Sequence, residues 1–204
     1  MSQDKKQLPC GQRYILALGG NLPSSVGAPT VTIQHALQSL REYDLRVKKI
    51  SRFFQTPAFP AGNGPDYVNA AVLIEADEFA SQSTDAACRS VLGVLHKVEH
   101  AFGRTRDTRW GQRTLDLDLI AAGDTILPDR AGFEAWMHLP MQDQVTRVPD
   151  ELILPHPRMH ERAFVLVPMA DVAPEWVHPV AGQSVQQMIA ALPQDEVASV
   201  VALD

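Results

Sequence analysis

The residues best suited to chemistry lie in one short stretch, in which four arginines precede two aspartates. The arginines fall within ten residues of a 204-residue chain of net charge −6, and they are Arg104, Arg106, Arg109 and Arg113. Directly after them, leucine alternates with Asp116 and Asp118, which is the period of a half-buried strand. Because alternate strand residues share a face, the two carboxylates lie on one side, about 6.7 Å apart along the backbone. Carboxylates at that spacing can hold one Mg²⁺ ion, or bracket two, and leave coordination sites for phosphate oxygens.

The same residues have a simpler interpretation, in which the arginines belong to a solvated loop and the aspartates to the solvent-exposed face of a strand. Taken singly, each feature favours that interpretation. Taken together they do not, because strand interiors disfavour aspartate and like charges on one face repel each other. No lysine or arginine separates Asp116 from Asp118, so the pair needs a cation. Guanidinium groups beside a divalent-metal site favour a polyphosphate substrate.

Composition excludes several classes of protein. Hydrophobic residues make up 45% of the chain and charged residues 21%, as in ordinary globular proteins. The acidic balance argues against general binding to nucleic acid or to an anionic membrane. Cys10 and Cys88 give neither a metal-binding spacing nor a disulfide framework, and we find no signal peptide or membrane span. We therefore expect a cytoplasmic protein with a flexible lead-in at 1–12, a single domain at 13–204 and an extended connection at about 125–151.

The elements that must position these residues mix strands and helices irregularly. Strands are predicted at 14–18, 45–54, 67–76 and 115–119, with a last strand-like segment at 152–154. Helices are predicted from a cap at Thr30, over about 83–102, over 159–164 before an apolar run to 169, and from Ser184. Because there is no regular βαβ repeat, the pattern favours an α+β fold.

Two other motifs have competing interpretations. The segment from His96 through Glu99 to His100 matches the His-x-x-Glu-His pattern of inverted zinc peptidases, and the three residues share a helical face. A pattern of five residues arises easily by chance, so His96 and Glu99 have an alternative use as the lining of a nucleotide site. His156 is expected to contact phosphate or substrate, and His160 to have an ordinary surface role.

The glycine pair at the end of the first strand is not a phosphate-binding loop. Neither the Gly-x-x-x-x-Gly-Lys motif nor the Gly-x-Gly-x-x-Gly motif occurs in the chain. Gly19 and Gly20 are therefore interpreted as a tight exit from the strand rather than as direct ligand contacts.

Five collinear segments resemble one known family. They are Ala17-Leu18-Gly19-Gly20-Asn21-Leu22, Ser51-x-Phe53-x-x-Thr56-Pro57, Asp66-Tyr67-x-Asn69-Ala70-Ala71, Arg109-Trp110-Gly111-x-Arg113-Thr114-Leu115-Asp116-Leu117-Asp118 and Leu154-Pro155-His156-Pro157-x-Met159-x-x-Arg162-x-Phe164. Over residues 13–179 the chain resembles 6-hydroxymethyl-7,8-dihydropterin pyrophosphokinase. The fourth segment is highly specific, and the others gain weight from their order.

The resemblance implies a ferredoxin-like αβα sandwich, α+β in class, with a mainly antiparallel sheet covered by helices. It implies transfer of pyrophosphate from ATP to the hydroxymethyl group of the pterin, giving AMP and the pterin pyrophosphate, in folate biosynthesis. The implied partners are small molecules, with no nucleic acid and no membrane, and the implied assembly is a monomer. Two Mg²⁺ ions, held by Asp116 and Asp118, would bridge the ATP phosphates.

The resemblance also assigns the remaining site residues. The pterin pocket would consist of Thr56, Pro57, Phe59, Tyr67, Asn69, Trp110 and Phe164. ATP would be bound by His96, Glu99, Arg109, Arg113, Leu119, His156 and Arg162. Arg104 and Arg106 would join Asp116 and Asp118 as catalytic residues. The arginine loop is one residue shorter than in typical members, the connection at 125–151 is longer, and Glu151 stands where an arginine that contacts ATP is often found.

Two other functions remain open from the residues alone, besides the zinc peptidase. One is a different Mg²⁺-dependent phosphotransferase or phosphohydrolase, and the other is an RNA-binding ferredoxin-like module without enzymatic activity. RNA binding requires basic and aromatic residues on an exposed sheet face, whereas this sheet face carries acids. Formation of AMP rather than ADP or free phosphate distinguishes the pyrophosphokinase from other phosphotransferases.

Overall fold

One antiparallel sheet organises the part of the chain that the computed structural model describes, which is residues 12–58, 64–103, 113–140, 143 and 147–203. Its order is β5-β1-β4-β3-β6, and β2 pairs with β4 beside β3. The strands are β1 (Arg13–Gly20), β2 (Arg46–Ile50), β3 (Phe54–Thr56), β4 (Tyr67–Glu75), β5 (Asp116–Ala122) and β6 (Val201–Ala202). Every pairing between these strands is antiparallel, which confirms the predicted α+β class.

Six helices lie within these residues. They are α1 (Pro29–Glu42), α2 (Thr84–Ala101), α3 (Arg130–Met137), α4 (Ala163–Val172), α5 (Val185–Ala191) and α6 (Gln194–Ala198), with short 3₁₀ turns at Asp77–Phe79 and Met159–Glu161. The helix predicted from Ser184 is α5, and Ser184 caps it through a capping box with Gln187. The cap of α1 is Ala28 and not Thr30, because Pro29 already supplies the fixed φ of a first helical turn.

The core consists of two layers, one on each face of the sheet. Tyr14, Leu16 and Leu18 of β1 are buried against α1 and α2. Ile15 points to the opposite face and packs in the layer that contains α4 and α5. The alternation follows from the period-2 geometry of a strand. None of the described helices is both long and apolar enough to cross a membrane.

The prediction of one strand over 45–54 was wrong, because the ladder breaks at Ser51. The Ser51 backbone N–H still donates to the Ala71 carbonyl at 2.9 Å, but the Ser51 hydroxyl accepts from the Ala71 N–H at 2.9 Å in place of the Ser51 carbonyl. The next residue, Arg52, turns outwards and binds both carboxylate oxygens of Asp171 on α4, at 3.0 and 2.9 Å. Side-chain hydrogen bonds of this kind compete with the regular ladder, and two short strands result.

The prediction of a helix over 159–164 followed by an apolar run was also wrong. The chain forms the 3₁₀ turn at Met159–Glu161 and then α4, whose residues are apolar on nearly all sides. A helix that is apolar on nearly all sides has no polar face and therefore no 3.6-residue pattern to read. The segment predicted as a last strand at 152–154 makes only an isolated bridge, between Leu127 and Leu154.

Candidate active site

The two aspartates of β5 lie on the face of the sheet that α4 covers. Leu117 and Leu119 are buried on the other face, in the layer under α1 and α2. Asp116 and Asp118 alternate with them and are only partly buried. The side chain of Leu119 therefore belongs to the core, and only its backbone is placed to contact a ligand.

A row of three residues crosses the sheet and joins the two halves of the predicted site. Gly19 of β1 pairs with Asn69 of β4 on one side and with Asp116 of β5 on the other. Adjacent strands are about 4.8 Å apart, so the backbones of Asn69 and Asp116 are separated by about 9.6 Å. Asn69 is 6% exposed. The row therefore places an amide and a carboxylate on the same face, with a residue that has no side chain between them.

The glycines at the end of β1 are required by space and not by backbone conformation, since neither has a positive φ. A Cβ atom on Gly19 would lie 3.0 Å from Oδ1 of Asn69. A Cβ atom on Gly20 would lie 2.6 Å from the carbonyl oxygen of Thr114. Gly20 thus permits a close approach to the segment before β5. Gly19 lies between Asn69 and Asp116 in the candidate site. The sequence analysis had interpreted it as a strand exit and had given it no place in the site.

Asn69 is fixed by a neighbour that was predicted for the same pocket. Its Nδ2 donates to Oγ1 of Thr56 at 2.7 Å, and both side chains are buried. Tyr67 pairs with Thr56 and lies two residues before Asn69, so that its side chain shares the same face. Pro57 follows Thr56 and is exposed. Thr56, Tyr67 and Asn69 are therefore brought together by the pairing of β3 with β4.

Tyr67 connects this pocket with the aspartates. Burial raises the pKa of Tyr67, the positive charge of Arg113 opposes that rise, and the negative charge of Asp116 adds to it. Arg113 itself donates from Nη1 to Oδ2 of Asp116 and forms an ion pair with it. The aspartate is therefore neutralised by an arginine from the predicted nucleotide set.

Phe164 begins the other wall of the predicted pterin pocket. It lies in the first turn of α4, and its side chain is 41% exposed. The guanidinium of Arg162 lies 5.7 Å from the centre of its ring. An exposed aromatic ring at the edge of a core layer is available for stacking with a flat ligand.

Two residues of the 156–162 turn, His156 and Arg162, lie near enough to the aspartates for the carboxylate charges to affect their pKa values. Burial, reinforced by the charges of Arg162 and Arg158, lowers the pKa of His156 to about 3. The backbone N–H of Arg158 donates to Nδ1 of His156 at 3.1 Å, so the neutral ring carries its proton on Nε2. Burial lowers the pKa of Arg162, and the charge of Asp118 opposes this effect.

Arg158 was not predicted as a site residue. Its side chain is only 14% exposed, and its Nε donates to Oε2 of Glu161 at 3.1 Å. Its charge affects the pKa of both His156 and Arg162, which places it beside them. In the sequence, this role is indicated by the position of Arg158 between His156 and Arg162, in the last of the five segments that resemble the family.

Asn21 was also not predicted as a site residue. It joins two segments that flank the site. Its Oδ1 accepts from the backbone N–H of Arg113 at 2.9 Å, and its Nδ2 donates to the carbonyl of Pro65 at 3.1 Å. Arg113 follows the arginine loop, and Pro65 shortly precedes β4. The asparagine of the Gly-Gly-Asn segment thus fixes the ends of both connections.

Glu99 and His96 lie on α2, behind the strand that carries the aspartates. Glu99 is 2% exposed, and its Oε1 accepts from the Leu117 backbone N–H at 2.7 Å. His96 is exposed one turn earlier. Glu99 therefore holds the strand between Asp116 and Asp118, and its assignment to ATP stays a prediction. Among the residues with a described position, no three His, Cys, Asp or Glu side chains form a group that could hold a metal ion.

Five of the predicted site residues lie outside the described residues. They are Phe59, Arg104, Arg106, Arg109 and Trp110. Of the described ones, Thr56, Tyr67, Asn69, Asp116 and Asp118 lie on one face of the sheet, and His156, Arg162 and Phe164 lie in the 156–164 segment. His96 and Glu99 lie instead on α2, and the side chain of Leu119 lies on the opposite face of the sheet.

Comparison with known proteins gives one consistent result. The family model of 7,8-dihydro-6-hydroxymethylpterin-pyrophosphokinase matches residues 15–174. A Synechocystis protein named 2-amino-4-hydroxy-6-hydroxymethyldihydropteridine pyrophosphokinase is 32% identical over 176 residues, which are 86% of this chain and 73% of that protein. The Pseudomonas aeruginosa protein of the same name is 32% identical over 183 residues, which are 89% of this chain and 93% of that one.

Solved structures agree at the level of the fold. Wild-type HPPK-DHPS of Plasmodium falciparum with pteroate superposes with a TM-score of 0.58 at 14% sequence identity. The match covers 89% of this chain and 44% of that one, so this chain spans less than half the length of the longer protein. At this identity the likeness supports the arrangement of strands and helices alone.

Proposed function

Since the chain belongs to the 7,8-dihydro-6-hydroxymethylpterin-pyrophosphokinase family, we propose that its reaction takes place on the sheet face between Asn69 and Asp118. The enzyme transfers pyrophosphate from ATP to the pterin alcohol in folate biosynthesis. Family membership decides against the zinc peptidase and the RNA-binding module. The main support for this location of the reaction is the row of Asn69, Gly19 and Asp116 across three strands.

The pterin ring is proposed to bind on the Asn69 side of this row. Thr56 orients the Asn69 amide, which presents an acceptor and a donor to the polar edge of the ring. Tyr67 and Phe164 supply aromatic surface from β4 and α4. A ring held in this way directs its hydroxymethyl group across Gly19, where no side chain obstructs the path to Asp116.

The phosphates of ATP are proposed to bind on the other side of the row, with two Mg²⁺ ions. Asp116 and Asp118 offer only carboxylate oxygens, which are the ligands that Mg²⁺ prefers, and when bound the ions neutralise charge on the phosphates. The donor set therefore fits the ion. Arg113 now forms an ion pair with Asp116, and we propose that it transfers its hydrogen bonds to a phosphate when MgATP binds.

The 156–162 turn is proposed to hold the transferred group from the opposite side. His156 is neutral at physiological pH, so it binds phosphate as a hydrogen-bond donor through Nε2 and not as a cation. Arg162 and Arg158 supply the positive charge. Fixed donors and charges in a partly desolvated site stabilise the charge that develops on the oxygens during transfer.

Two further properties are proposed with this function. Both substrates are small molecules, and the site is assembled from one copy of the chain, which fits a monomer. An enzyme that uses ATP in folate biosynthesis fits a cytoplasmic location.

Product analysis with metal-site variants tests the proposal. The wild-type enzyme should convert ATP and the pterin alcohol to AMP and the pterin pyrophosphate in a Mg²⁺-dependent reaction. Asp118→Asn should lose several kcal/mol of transition-state stabilisation, or at least about a hundredfold in kcat. The matched control is Asp85→Asn, because Asp85 is a half-exposed carboxylate that pairs with Arg89 on α2. An active Asp118→Asn enzyme with unchanged Mg²⁺ dependence would contradict the metal assignment.

A further inference from the structure

The row of residues that crosses the proposed site continues to the last strand of the sheet. Phe54 of β3 pairs with Asn69 of β4, and Ala202 of β6 pairs with Phe54. Side chains directly opposite each other on paired strands share a face, so Phe54 lies beside Asn69, on the side away from Gly19. We call residues 192–203, which include α6 and β6, the C-terminal segment. Only β3 separates its strand from the strand that carries Asn69.

The C-terminal segment holds β3 through the backbone. Strand β3 is three residues long and lies between β4 and β6. Besides the pairing of β3 with β6, the Leu203 backbone N–H donates to the Phe53 carbonyl at 2.8 Å. A strand this short makes few hydrogen bonds to β4, and two strands without further partners are only marginally stable. The position of Thr56, and with it the 2.7 Å hydrogen bond from Asn69, therefore depends on β6 as well as on β4.

The C-terminal segment also holds β3 through side chains. Phe54, Ala163 and Val200 form a third, smaller cluster of buried residues. The partly buried side chains that pack against this cluster are Val167, Leu192 and Val197. Ala163 is the first residue of α4 and directly precedes Phe164. Val200 thus joins β3 to the start of α4, and these two elements carry Thr56 and Phe164 of the proposed pterin pocket.

The C-terminal strand lies far from the proposed metal site. Strands β3, β4 and β1 separate β6 from β5, and at ~4.8 Å per strand the two are about 19 Å apart. Substitutions more than about 10 Å apart that share no partners usually act independently. A change in the C-terminal segment should therefore affect the pterin side of the row and not the phosphate side. A segment that only covered the sheet would instead affect stability alone, or both sides equally.

We propose that the C-terminal segment positions the pterin pocket, with β6 and Val200 holding β3 and the first turn of α4 at the spacing that the ring requires. Val200 and Leu203 are positioning residues, because they act through Thr56 and Phe164 and do not touch the ring. The segment lies after residue 174, where the match to the family model ends, so that match assigns it no role. The inference rests on the proposed function, because it requires the pterin to lie beside Asn69.

Steady-state kinetics of two Leu203 variants test the backbone contact. Leu203→Pro removes the N–H that binds the Phe53 carbonyl, and the preceding Ala202 already has the extended conformation that a residue before proline prefers. It should raise the KM for the pterin about tenfold, which is the effect of one hydrogen bond lost at a buried site. The KM for ATP, and kcat with both substrates saturating, should change less than about twofold. Leu203→Ala is the matched control, because it keeps the N–H, and it should retain the wild-type pterin KM.

Three valine variants test the side-chain contact. Val200→Ala removes bulk between β3 and α4 and should raise the KM for the pterin about fivefold. Val200→Ile retains the bulk and should restore the wild-type value. Val91→Ala is the matched control, because Val91 is a buried valine of α2 on the opposite face of the sheet. It should lower the thermal midpoint as Val200→Ala does and leave the pterin KM unchanged.

A double-mutant cycle with Thr56→Ala shows whether the effect passes through Thr56. In the Thr56→Ala background, Leu203→Pro should raise the pterin KM less than about twofold, because the hydrogen bond to Asn69 is already lost. If Leu203→Pro does not fold, the cycle uses Val200→Ala.

The proposal is overturned if folded Leu203→Pro or Val200→Ala keeps the wild-type pterin KM, or if the KM values for the pterin and ATP rise together. Additive effects of Leu203→Pro and Thr56→Ala would overturn it as well. Wild-type pterin affinity in Asn69→Ala would contradict the proposed position of the ring and this inference with it. Weakened pterin binding in Asn69→Ala beside normal binding in Leu203→Pro would contradict this inference alone.

Discussion

Replacing Gly19 with alanine would add one methyl group at the centre of the proposed site. The new Cβ atom would lie 3.0 Å from Oδ1 of Asn69, with the carbonyl of Val68 as the next neighbour at 3.9 Å. Gly19 has no positive φ, so alanine fits its backbone conformation. The substitution therefore acts on the Asn69 amide and not on the fold.

The magnitude follows from how firmly Asn69 is held. The amide must retreat by a few tenths of an ångström, but its Nδ2 is fixed by Thr56 at 2.7 Å. Either that hydrogen bond or the bond to the pterin is then lost. A lost hydrogen bond at a buried site costs about 1–2 kcal/mol, so pterin binding should weaken roughly five- to thirtyfold. MgATP binding, on the far side of Gly19, should change by less than about twofold.

The assay is a pair of titrations, with the pterin and with a MgATP analogue, on wild type and on two glycine variants. Gly93→Ala is the matched control, because nothing apart from the adjacent residues and local backbone of α2 itself lies within 4 Å of a Cβ placed on this glycine. It should bind both ligands normally and gain up to about 1 kcal/mol of stability. Wild-type pterin affinity in Gly19→Ala would refute the placement of the ring beside Asn69.

Three further predictions concern other residues of this account. Asn69→Ala should weaken pterin binding by about 1–3 kcal/mol and leave MgATP binding unchanged, since the polar edge of the ring loses its partner; equal pterin affinity in a titration would contradict it. Arg158→Gln should raise the KM for ATP about tenfold, whereas Glu161→Gln retains the guanidinium and should change it far less; equal effects in steady-state kinetics would mean that Arg158 only holds the turn. Burial lowers the pKa of His178 to about 4, so the unfolded chain binds the proton first as pH falls below 6.5. The free energy of unfolding should therefore decrease by ~2 kcal/mol between pH 6.5 and pH 5 through this group. Urea unfolding should show a smaller decrease in His178→Asn than in wild type or in His35→Asn, and parallel curves would refute the contribution.

The part of the site that the sequence could predict depends on local periodicity. The alternation of Asp116 and Asp118 with leucine was enough to place both carboxylates on one face, because a strand has only two faces. The same reasoning places Tyr67 and Asn69, two residues apart in the strand predicted at 67–76, on one face. These inferences need no knowledge of which strands pair.

The part that could not be predicted depends on contacts between distant segments. Asn21 acts on Arg113 and Pro65, and Glu99 acts on Leu117, but neither pairing leaves a periodic signal. The break at Ser51 arises from its hydrogen bond with Ala71 on another strand. Helix α4 was missed because its residues are apolar on nearly all sides, which removes the amphipathic pattern. The family resemblance named Thr56 and Asn69 for one pocket, but only the pairing of β3 with β4 shows that they bind each other.

The most direct test of the central claim is a crystal structure with Mg²⁺, a non-hydrolysable ATP analogue and the pterin alcohol. The account predicts metal ions about 2.1 Å from carboxylate oxygens of Asp116 and Asp118. It also predicts the pterin ring in hydrogen-bond contact with Asn69, on the opposite side of Gly19. A metal ion bound elsewhere, or a pterin ring without contact to Asn69, would contradict the account.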